Sequence, residues 1–346
     1  MESKMSVIQR GISCIMLLWA LQLPAAAETP EEFYRGKAIS LYVGYTAGGG
    51  YDVYARLLGR HMVRHLPAGA TVIIKNMEGA GSLRLANWLY SIAPADGSAF
   101  ATVGRGVAFD QLLGRTGVQF DAPRFTWIGS MNDEVSVCVS MASSQVTTFS
   151  DLGKDKLIVG AAGAGNDDDL FPRIMNAILG TKMQIITAYP GGNDVVLAME
   201  RGEVMGRCGW SWSSIKASQP DWIVQNKINV LVQLGLSKHA DLPNVPLIMD
   251  LAKNDEERQS LKLIFARQAL GRPFLAPPGI PSDRSAFLRS VFKKTVSDPE
   301  LRAEADRAKI EIEPLTGENL ESVIHQVFSD TSPQLARKIS GYINLN

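Results

Sequence analysis

One stretch near the start of the chain, residues 41–62, constrains the fold more than any other. It contains a short apolar run, three consecutive glycines at residues 48–50, and then apolar residues at helical spacing. Consecutive glycines allow the backbone to turn sharply and to approach another group closely. The pattern predicts a strand, a loop and a helix with Asp52 at its N-cap. The free N–H groups of such a helix start can bind an anion, although many loops of this kind serve only as tight turns.

The glycine loop and the overall charge both argue against nucleotides and nucleic acids as partners. No Gly-Lys-Ser or Gly-Lys-Thr follows the glycines, and their spacing does not fit the GxGxxG pattern. The chain has 35 basic and 35 acidic residues. A surface without net charge gives no electrostatic attraction for nucleic acid or for an anionic membrane.

The N-terminus has the pattern of a secretory signal peptide. Lys4 and Arg10 precede an apolar run at residues 12–23, and three alanines follow at residues 25–27. The apolar run is too short for a confident membrane anchor. We therefore expect residues 1–27 to be removed and the mature protein to be periplasmic.

Two cysteines, Cys138 and Cys208, remain in the predicted mature chain, so it can form at most one internal disulfide. They are far apart in sequence and have no CxxC spacing. This usage is more typical of buried apolar residues than of a redox pair.

The order of strand, small-residue loop and helix recurs through both halves of the chain. It is repeated at residues 71–90 and 99–113, and again at residues 157–179 and 184–199. Such alternation predicts the α/β class, with mostly parallel sheets covered by helices. Ligands bind these sheets at the carboxyl ends of the strands, where the loops lie. Two lobes of this kind could face each other across a cleft, each offering helix N-termini.

Seven short motifs occur along the chain in a fixed order. They are residues 44–52 (GYTAGGGYD), Asn76 with residues 79–81 (GAG), 95–97 (ADG), 160–165 (GAAGAG), 189–192 (YPGG), 242–246 (LPNVP) and 275–281 (LAPPGIP). Each motif is short, but their order resembles the Bug-type solute receptors of tripartite tricarboxylate transporters. The resemblance extends over nearly the whole predicted mature chain.

The resemblance implies a type 2 periplasmic binding protein, in which two α/β lobes close around a central ligand cleft. Residues 28–137 with 266–346 would form the first lobe, and residues 138–265 the second. The protein would be a monomeric receptor, not an enzyme, and would use no cofactor or metal. It would capture a small organic carboxylate and deliver it to the membrane subunits of the transporter.

In that family, backbone groups and ordered waters of two opposed loops hold the ligand carboxylate. Carried over by position, the first-lobe candidates are Tyr45, Ala47, Gly48, Gly49 and Asp52. The second-lobe candidates are Ala162, Gly163, Gly165, Asn166 and Tyr189.

Residues 166–169 (NDDD) depart from the family, which usually has a serine-rich stretch before this helix. Three carboxylates beside an anionic ligand would repel it. We therefore expect Asp167, Asp168 and Asp169 to cap the helix and point outward. The alternative is that they bind an amine or hydroxyl group of the ligand, or a cation.

Two arginines and a glycine also depart from the family pattern. Gly209 stands where an aspartate is common, so any role of that acid is in doubt. Arg105 and Arg207 are unusual at their positions, and an arginine can bind a carboxylate through two parallel hydrogen bonds. We predict that Arg105 or Arg207 holds the ligand carboxylate. Pairing with a structural acid is the equally weighted alternative.

Trp210 and Trp212 are separated by one residue, so in an extended segment their side chains point to the same side. Trp210 is a candidate for the cleft wall, where it would contact an apolar part of the ligand. Packing in the core is the commoner role of tryptophan.

Two other functions stay open on the sequence. An exported enzyme is one, although the four histidines are not near either cysteine in sequence, and neither GxSxG nor HExxH occurs. A receptor that feeds a signalling partner instead of a transporter is the other.

Overall fold

The computed structural model describes residues 28–187 and 189–343. The predicted signal peptide lies outside the described residues. The strands are β1 (Ala38–Val43), β2 (Thr71–Asn76), β3 (Ala99–Thr102), β4 (Thr126–Ser130), β5 (Ser136–Met141), β6 (Leu157–Gly160), β7 (Met183–Ile186), β8 (Gly206–Ser211), β9 (Ile228–Leu234), β10 (Pro273–Ala276) and β11 (Leu315–Thr316).

The α-helices of the described residues alternate with these strands and extend to the C-terminal end. They are α1 (Pro30–Tyr34), α2 (Gly50–Met62), α3 (Leu83–Ser91), α4 (Val107–Asp110), α5 (Asp167–Leu179), α6 (Gly192–Glu200), α7 (Trp212–Ser218), α8 (Pro220–Val224), α9 (Asp255–Phe265), α10 (Ser282–Val296), α11 (Pro299–Arg307), α12 (Gly317–Asp330) and α13 (Pro333–Ile343). Within the described part of the chain, no helix combines the length and the apolar character needed to cross a membrane.

The strands form two separate sheets, which confirms the predicted α/β class with two lobes. The first sheet has six strands in the order β11-β4-β10-β3-β1-β2, and the second has five in the order β7-β6-β8-β5-β9. Strand β1 is parallel to β2 and β3, and β6 is parallel to β7 and β8. The remaining pairs are antiparallel, so the expectation of mostly parallel sheets was wrong. The antiparallel strands β4, β5, β9 and β10 flank the two places where the chain crosses between the sheets.

Helix α2 packs on the first sheet through one apolar face, as its residue pattern predicts. Its Tyr54, Leu57, Leu58 and Met62 are buried and share a core cluster with residues of β1. The helix begins at Gly50, with Gly49 as its N-cap. Asp52 is therefore the third helical residue, and its predicted N-cap position was wrong.

The two crossovers between the sheets touch each other at Gly271 and Asn132. Gly271 has a φ of +47°, a conformation that favours glycine, and a Cβ on this residue would lie 1.8 Å from the carbonyl oxygen of Asn132. The Ser130 hydroxyl oxygen lies 2.8 Å from that same carbonyl oxygen and accepts a hydrogen bond of 3.0 Å from the N–H of Arg272. The crossovers thus form one tightly packed junction between the lobes.

A disulfide joins Cys138 in β5 to Cys208 in β8, and both residues are fully buried. These strands are antiparallel neighbours in the second sheet. The sequence favoured buried cysteines, and burial is confirmed. Their pairing depends on strand neighbours that sequence spacing does not reveal.

The last two helices pack on different parts of the molecule. Helix α12 packs against β4 of the first sheet, whereas α13 packs against α5, which follows β6 of the second sheet. Lys338 of α13 also forms an ion pair with Glu256 of α9. Helix α13 therefore packs on the side of the second sheet, away from α12.

Candidate functional site

A cavity of about 90 Å³ lies between the two sheets. A single water needs about 10–15 Å³, so this space can hold a small organic molecule. The first-sheet side of the wall consists of residues 45, 46, 49–51, 81, 104–107 and 110. The second-sheet side consists of residues 162, 165–168, 192, 193, 207, 209–211, 214 and 218, and Arg272 completes the wall.

Three helices begin at this cavity without a side-chain cap. The N-caps of α2 and α6 are Gly49 and Gly191, which have no side chain, and the side chain of Asn166, the N-cap of α5, accepts no hydrogen bond from the first turn. The first residues of all three helices line the cavity. Their free N–H groups and positive dipole ends therefore make the space suited to an anion.

The start of α2 is fixed by an internal acid. Gly48 has a φ of +80° and donates its N–H to the Asp52 carboxylate at 2.8 Å. The same carboxylate accepts hydrogen bonds from Arg56 at 2.7 Å and from Asn76 at 2.9 Å. Burial acts to raise the pKa of Asp52, but these hydrogen bonds outweigh it and hold the pKa below its usual range. Asp52 therefore shapes the loop from behind and does not line the cavity.

The start of α5 repeats this arrangement in the second lobe. Gly165 has a φ of +81° and donates its N–H to the Asp169 carboxylate at 2.9 Å. Arg173, four residues further on, donates to Asp169 at 2.9 Å. Both glycine loops thus use the same glycine, aspartate and arginine spacing to orient a helix N-terminus. This agrees with the strand, loop and helix repeat seen in the sequence.

Tyr45 and Asn166 connect the two sides of the cavity. The Tyr45 hydroxyl donates to the Asn166 side-chain oxygen at 3.0 Å. The Tyr45 ring also stacks on Tyr51, with 4.6 Å between ring centroids. Burial raises the pKa of Tyr45 well above its usual range, so the hydroxyl stays a hydrogen-bond donor. The hydrogen bond links the two glycine loops in this conformation.

Arg105 lies in the cavity wall and is nearly fully buried. Its Nε donates to Asp167 at 2.6 Å, and its two terminal nitrogens donate to Ser211 at 3.2 Å and Ser136 at 2.7 Å. Burial acts to lower the pKa of Arg105, but the attraction of Asp167 outweighs it and raises the pKa. All three guanidinium nitrogens thus have partners inside the protein. The geometry favours pairing with a structural acid for this residue.

The guanidinium of Arg207 has fewer hydrogen-bond partners than that of Arg105. One terminal nitrogen donates to the Gly192 carbonyl oxygen at 3.2 Å, and the other lies 3.5 Å from the Asp168 carboxylate. Its buried Nε has no hydrogen-bond partner within the part of the chain that the structure describes. Burial lowers the pKa of Arg207, with Asp168 acting in the opposite direction. The guanidinium also lies 4.9 Å from the ring centroid of Trp210, which lines the cavity.

Asp167 and Asp168 line the cavity, so the expectation that the aspartates of α5 point outward was wrong for these two. Asp168 is 4% exposed, and one of its carboxylate oxygens has no hydrogen-bond partner in residues 28–187 and 189–343. Burial raises the pKa of Asp168 to about 6, with Arg207 acting in the opposite direction. Gly209 explains this placement, since a Cβ there would lie 2.5 Å from the Asp167 backbone. The close approach of β8 brings the first turn of α5 against the cavity.

Arg272 is a wall residue that the sequence analysis missed. It is 1% exposed, donates to the Ser214 hydroxyl at 2.8 Å and lies 3.3 Å from the Glu134 carboxylate. Its Nε is buried and has no hydrogen-bond partner among the residues that the structure describes. Arg272 follows the second crossover, and no local motif marks it. Its position in the cavity wall depends on the contact between the two crossovers.

The sequence-predicted site residues divide into two groups. The first group lines the cavity: Tyr45, Gly49, Arg105, Ala162, Gly165, Asn166, Arg207 and Trp210. The second group lies outside its wall: Ala47, Gly48, Asp52, Gly163 and Tyr189. Trp212 also lies outside, and its indole N–H donates to Asp241 at 3.1 Å.

His239, Asp241 and Glu311 have ligand-type atoms within 4.8 Å of one another, as in a small metal site. The Lys216 ammonium, however, donates to both carboxylates. Burial acts to lower the pKa of Lys216, but these two hydrogen bonds outweigh it and raise the pKa. The Lys216 ammonium is thus the cation that pairs with the two carboxylates. The group is an ion-pair network between α7 and the segment before β11.

Comparison with known proteins agrees with this architecture. The family model described as "Tripartite tricarboxylate transporter family receptor" matches residues 54–340. A UPF0065 protein from the gbd 5′ region of Cupriavidus necator is 25% identical over 325 residues, covering 91% of this chain and 90% of the relative.

Solved structures show the same fold. The periplasmic binding protein BugD superposes with a TM-score of 0.71 at 19% identity, covering 90% of this chain and 99% of BugD. The R. palustris protein Rpa4515, solved with adipate, gives a TM-score of 0.68 at 17% identity, covering 88% of this chain and 97% of Rpa4515. The two-lobed fold of periplasmic binding proteins is thereby confirmed. With a family model matched over most of its length, this chain belongs to the tripartite tricarboxylate transporter receptor family.

Proposed function

We propose that the protein is a periplasmic receptor that captures a small organic carboxylate between its lobes and delivers it to a tripartite tricarboxylate-type membrane transporter. The observation that carries this proposal is the meeting of uncapped helix starts from both lobes at one cavity. Membership of the receptor family supports it, and so does the adipate bound by the related fold of Rpa4515.

In this mechanism the ligand carboxylate accepts hydrogen bonds from main-chain N–H groups at Gly49, Gly50 and the start of α5. Donors of this kind are fixed before the ligand arrives, so little ordering is needed on binding. We assign residues 28–137 with 266–332 to one lobe and residues 138–265 to the other, and α13 packs on the second of these lobes. Closure of the lobes is then a population shift driven by contacts that only the closed form makes.

A receptor accounts for the cavity better than an enzyme does. None of the four histidines, all of which are among the described residues, lines the cavity. The wall serines therefore have no imidazole beside them to act as a general base. Incubation of the purified protein with carboxylates should leave them chemically unchanged by NMR, and turnover would favour the enzyme instead.

Carboxylates should raise the melting temperature of the purified protein. A ligand that binds only the folded state adds about 2.7 kcal/mol of stability at one hundred times its Kd. We expect at least one member of a panel of mono-, di- and tricarboxylates, including aromatic acids, to give such a shift in a thermal-unfolding assay. The matching primary amides serve as controls and should give none. A panel in which acids and amides behave alike would contradict the proposal.

Loss of the Tyr45 hydroxyl should weaken ligand binding without unfolding the protein. Tyr45→Phe removes one hydrogen bond between the lobes, worth about 0.5–1.5 kcal/mol, so affinity should fall by roughly two- to tenfold in calorimetric titrations. Tyr42→Phe makes the same chemical change at a residue outside the cavity and should bind normally. Equal affinities for both variants would remove Tyr45 from the closing mechanism.

The export, oligomeric state and transporter partner each have a direct test. The exported protein should begin at Glu28 by N-terminal sequencing, and it should elute as a monomer in size-exclusion chromatography.

Transport predicts neighbouring genes for membrane proteins of four and twelve spans. A signalling protein in their place would favour the receptor that feeds a signalling partner.

A further inference from the structure

The arginines around the cavity are already paired with acids. Three arginines line the wall, and their ion pairs are Arg105 with Asp167 at 2.6 Å, Arg207 with Asp168 at 3.5 Å and Arg272 with Glu134 at 3.3 Å. No arginine of the wall is therefore a free cation that waits for a ligand carboxylate.

Two neighbouring arginines complete this set of ion pairs. Arg267 lies 3.4 Å from Asp167, and Arg115 lies 2.7 Å from Asp110. The set of ion pairs around the cavity thus contains five arginines and four acids. They are Arg105, Arg115, Arg207, Arg267 and Arg272 with Asp110, Glu134, Asp167 and Asp168. The set has one positive charge in excess. A single ligand carboxylate neutralises it, whereas a second carboxylate would add a buried negative charge without compensation.

Asp168 and Arg207 both line the cavity and form an ion pair of 3.5 Å, so the pair contributes an acceptor and a donor to the same part of the wall. Among the described residues, one buried oxygen of the Asp168 carboxylate and the buried Nε of Arg207 have no hydrogen-bond partner. A buried polar group without a partner is unfavourable, so a ligand group that satisfies both would be favoured. A carboxylate that approaches Arg207 would also be repelled by Asp168, and an ammonium that approaches Asp168 would also be repelled by Arg207. A hydroxyl group both donates and accepts, so it suits the pair without either repulsion.

From this geometry we infer that the receptor selects singly charged carboxylates that bear a hydroxyl group, and that Asp168 and Arg207 bind this hydroxyl. The inference rests on the proposed function, since it assumes that the helix starts hold the carboxylate. It assigns to Asp168 the rejection of a second carboxylate.

The test uses acids that share a carbon chain and differ only at the far end. The six-carbon series is hexanoate, 6-hydroxyhexanoate, 6-aminohexanoate and adipate, and the four-carbon series is butyrate, 4-hydroxybutyrate, 4-aminobutyrate and succinate. We expect the hydroxy acid of at least one series to bind about tenfold more tightly than each of its three partners in calorimetric titrations.

The Asp168→Asn variant distinguishes the effect of the carboxylate charge on selectivity from the effect of the side-chain shape. The amide keeps the size of the carboxylate and removes its charge, so the preference for the hydroxy acid over the diacid should shrink by about tenfold or more. Asp255→Asn makes the same change in the first turn of α9, at an exposed residue, and should keep the selectivity of the original protein. Thermal unfolding of both variants verifies that they fold.

The outcomes distinguish this inference from the function on which it rests. A diacid that binds best, with a preference unchanged in Asp168→Asn, would overturn the inference and leave carboxylate capture intact. Binding of the amino acid in preference to the hydroxy acid would also overturn it. Failure of all eight acids, together with no thermal shift from the wider panel, would count against both.

Discussion

Gly271→Ala is expected to destabilise the protein by at least about 4 kcal/mol, a loss found only for the most disruptive single substitutions. The added Cβ would lie 1.8 Å from the carbonyl oxygen of Asn132, so the backbone of one crossover has to move. Gly271 combines a φ of +47° with a ψ of −102°, outside the left-handed helical region, so alanine there adds about 1–3 kcal/mol of backbone strain. Chemical denaturation, followed by circular dichroism, measures the change in the free energy of unfolding.

Gly279→Ala is the matched control for this prediction. Gly279 has a φ of +77°, but a Cβ there would meet no atom within 4 Å. Only the backbone strain applies, so this variant should lose about 1–2 kcal/mol. If the two variants were equally stable, the packed junction of the crossovers would not be the sensitive point that the structure indicates.

Removal of the disulfide should have a second large effect. Cys138 and Cys208 are 70 residues apart, and closing a loop of this length restricts the unfolded chain by about 4 kcal/mol. The double variant Cys138→Ala, Cys208→Ala should therefore melt roughly 6 °C lower than the original protein. Differential scanning calorimetry under oxidising conditions measures this shift.

Treatment with a reductant distinguishes the effect of the disulfide bond from the effect of replacing the cysteine side chains. Dithiothreitol should lower the melting temperature of the original protein toward that of the double variant and should leave the variant unchanged. A protein that melts at the same temperature with and without reductant, while its thiols are shown to be reduced, would contradict a stabilising disulfide.

Local patterns in the sequence predicted the parts of the site that are themselves local. The glycine loop before α2 and the loop before α5 were found because glycine runs, strand residues and helical spacing lie within about twenty residues of one another. The α/β class followed from the same repeats. Backbone geometry at these loops depends on neighbours in sequence, so sequence alone indicates it.

The missed features all depend on contacts between distant segments. Arg272 meets Glu134 only because the two crossovers touch, and Cys138 meets Cys208 only because β5 neighbours β8. Asp168 lines the cavity because Gly209 allows β8 to approach α5 closely. The antiparallel pairs of both sheets likewise reflect the crossing chain. Such contacts are set by the tertiary fold, which a single sequence does not reveal.

The paired helix starts also bear on how such a receptor can change during evolution. Gly48 with Asp52, and Gly165 with Asp169, orient main-chain donors from behind the cavity wall. Under the proposed function, mutations at wall side chains can therefore alter which acid is bound while the main-chain donors for its carboxylate stay in place. A lineage built on this framework could then take up a new nutrient after the exchange of a few wall side chains.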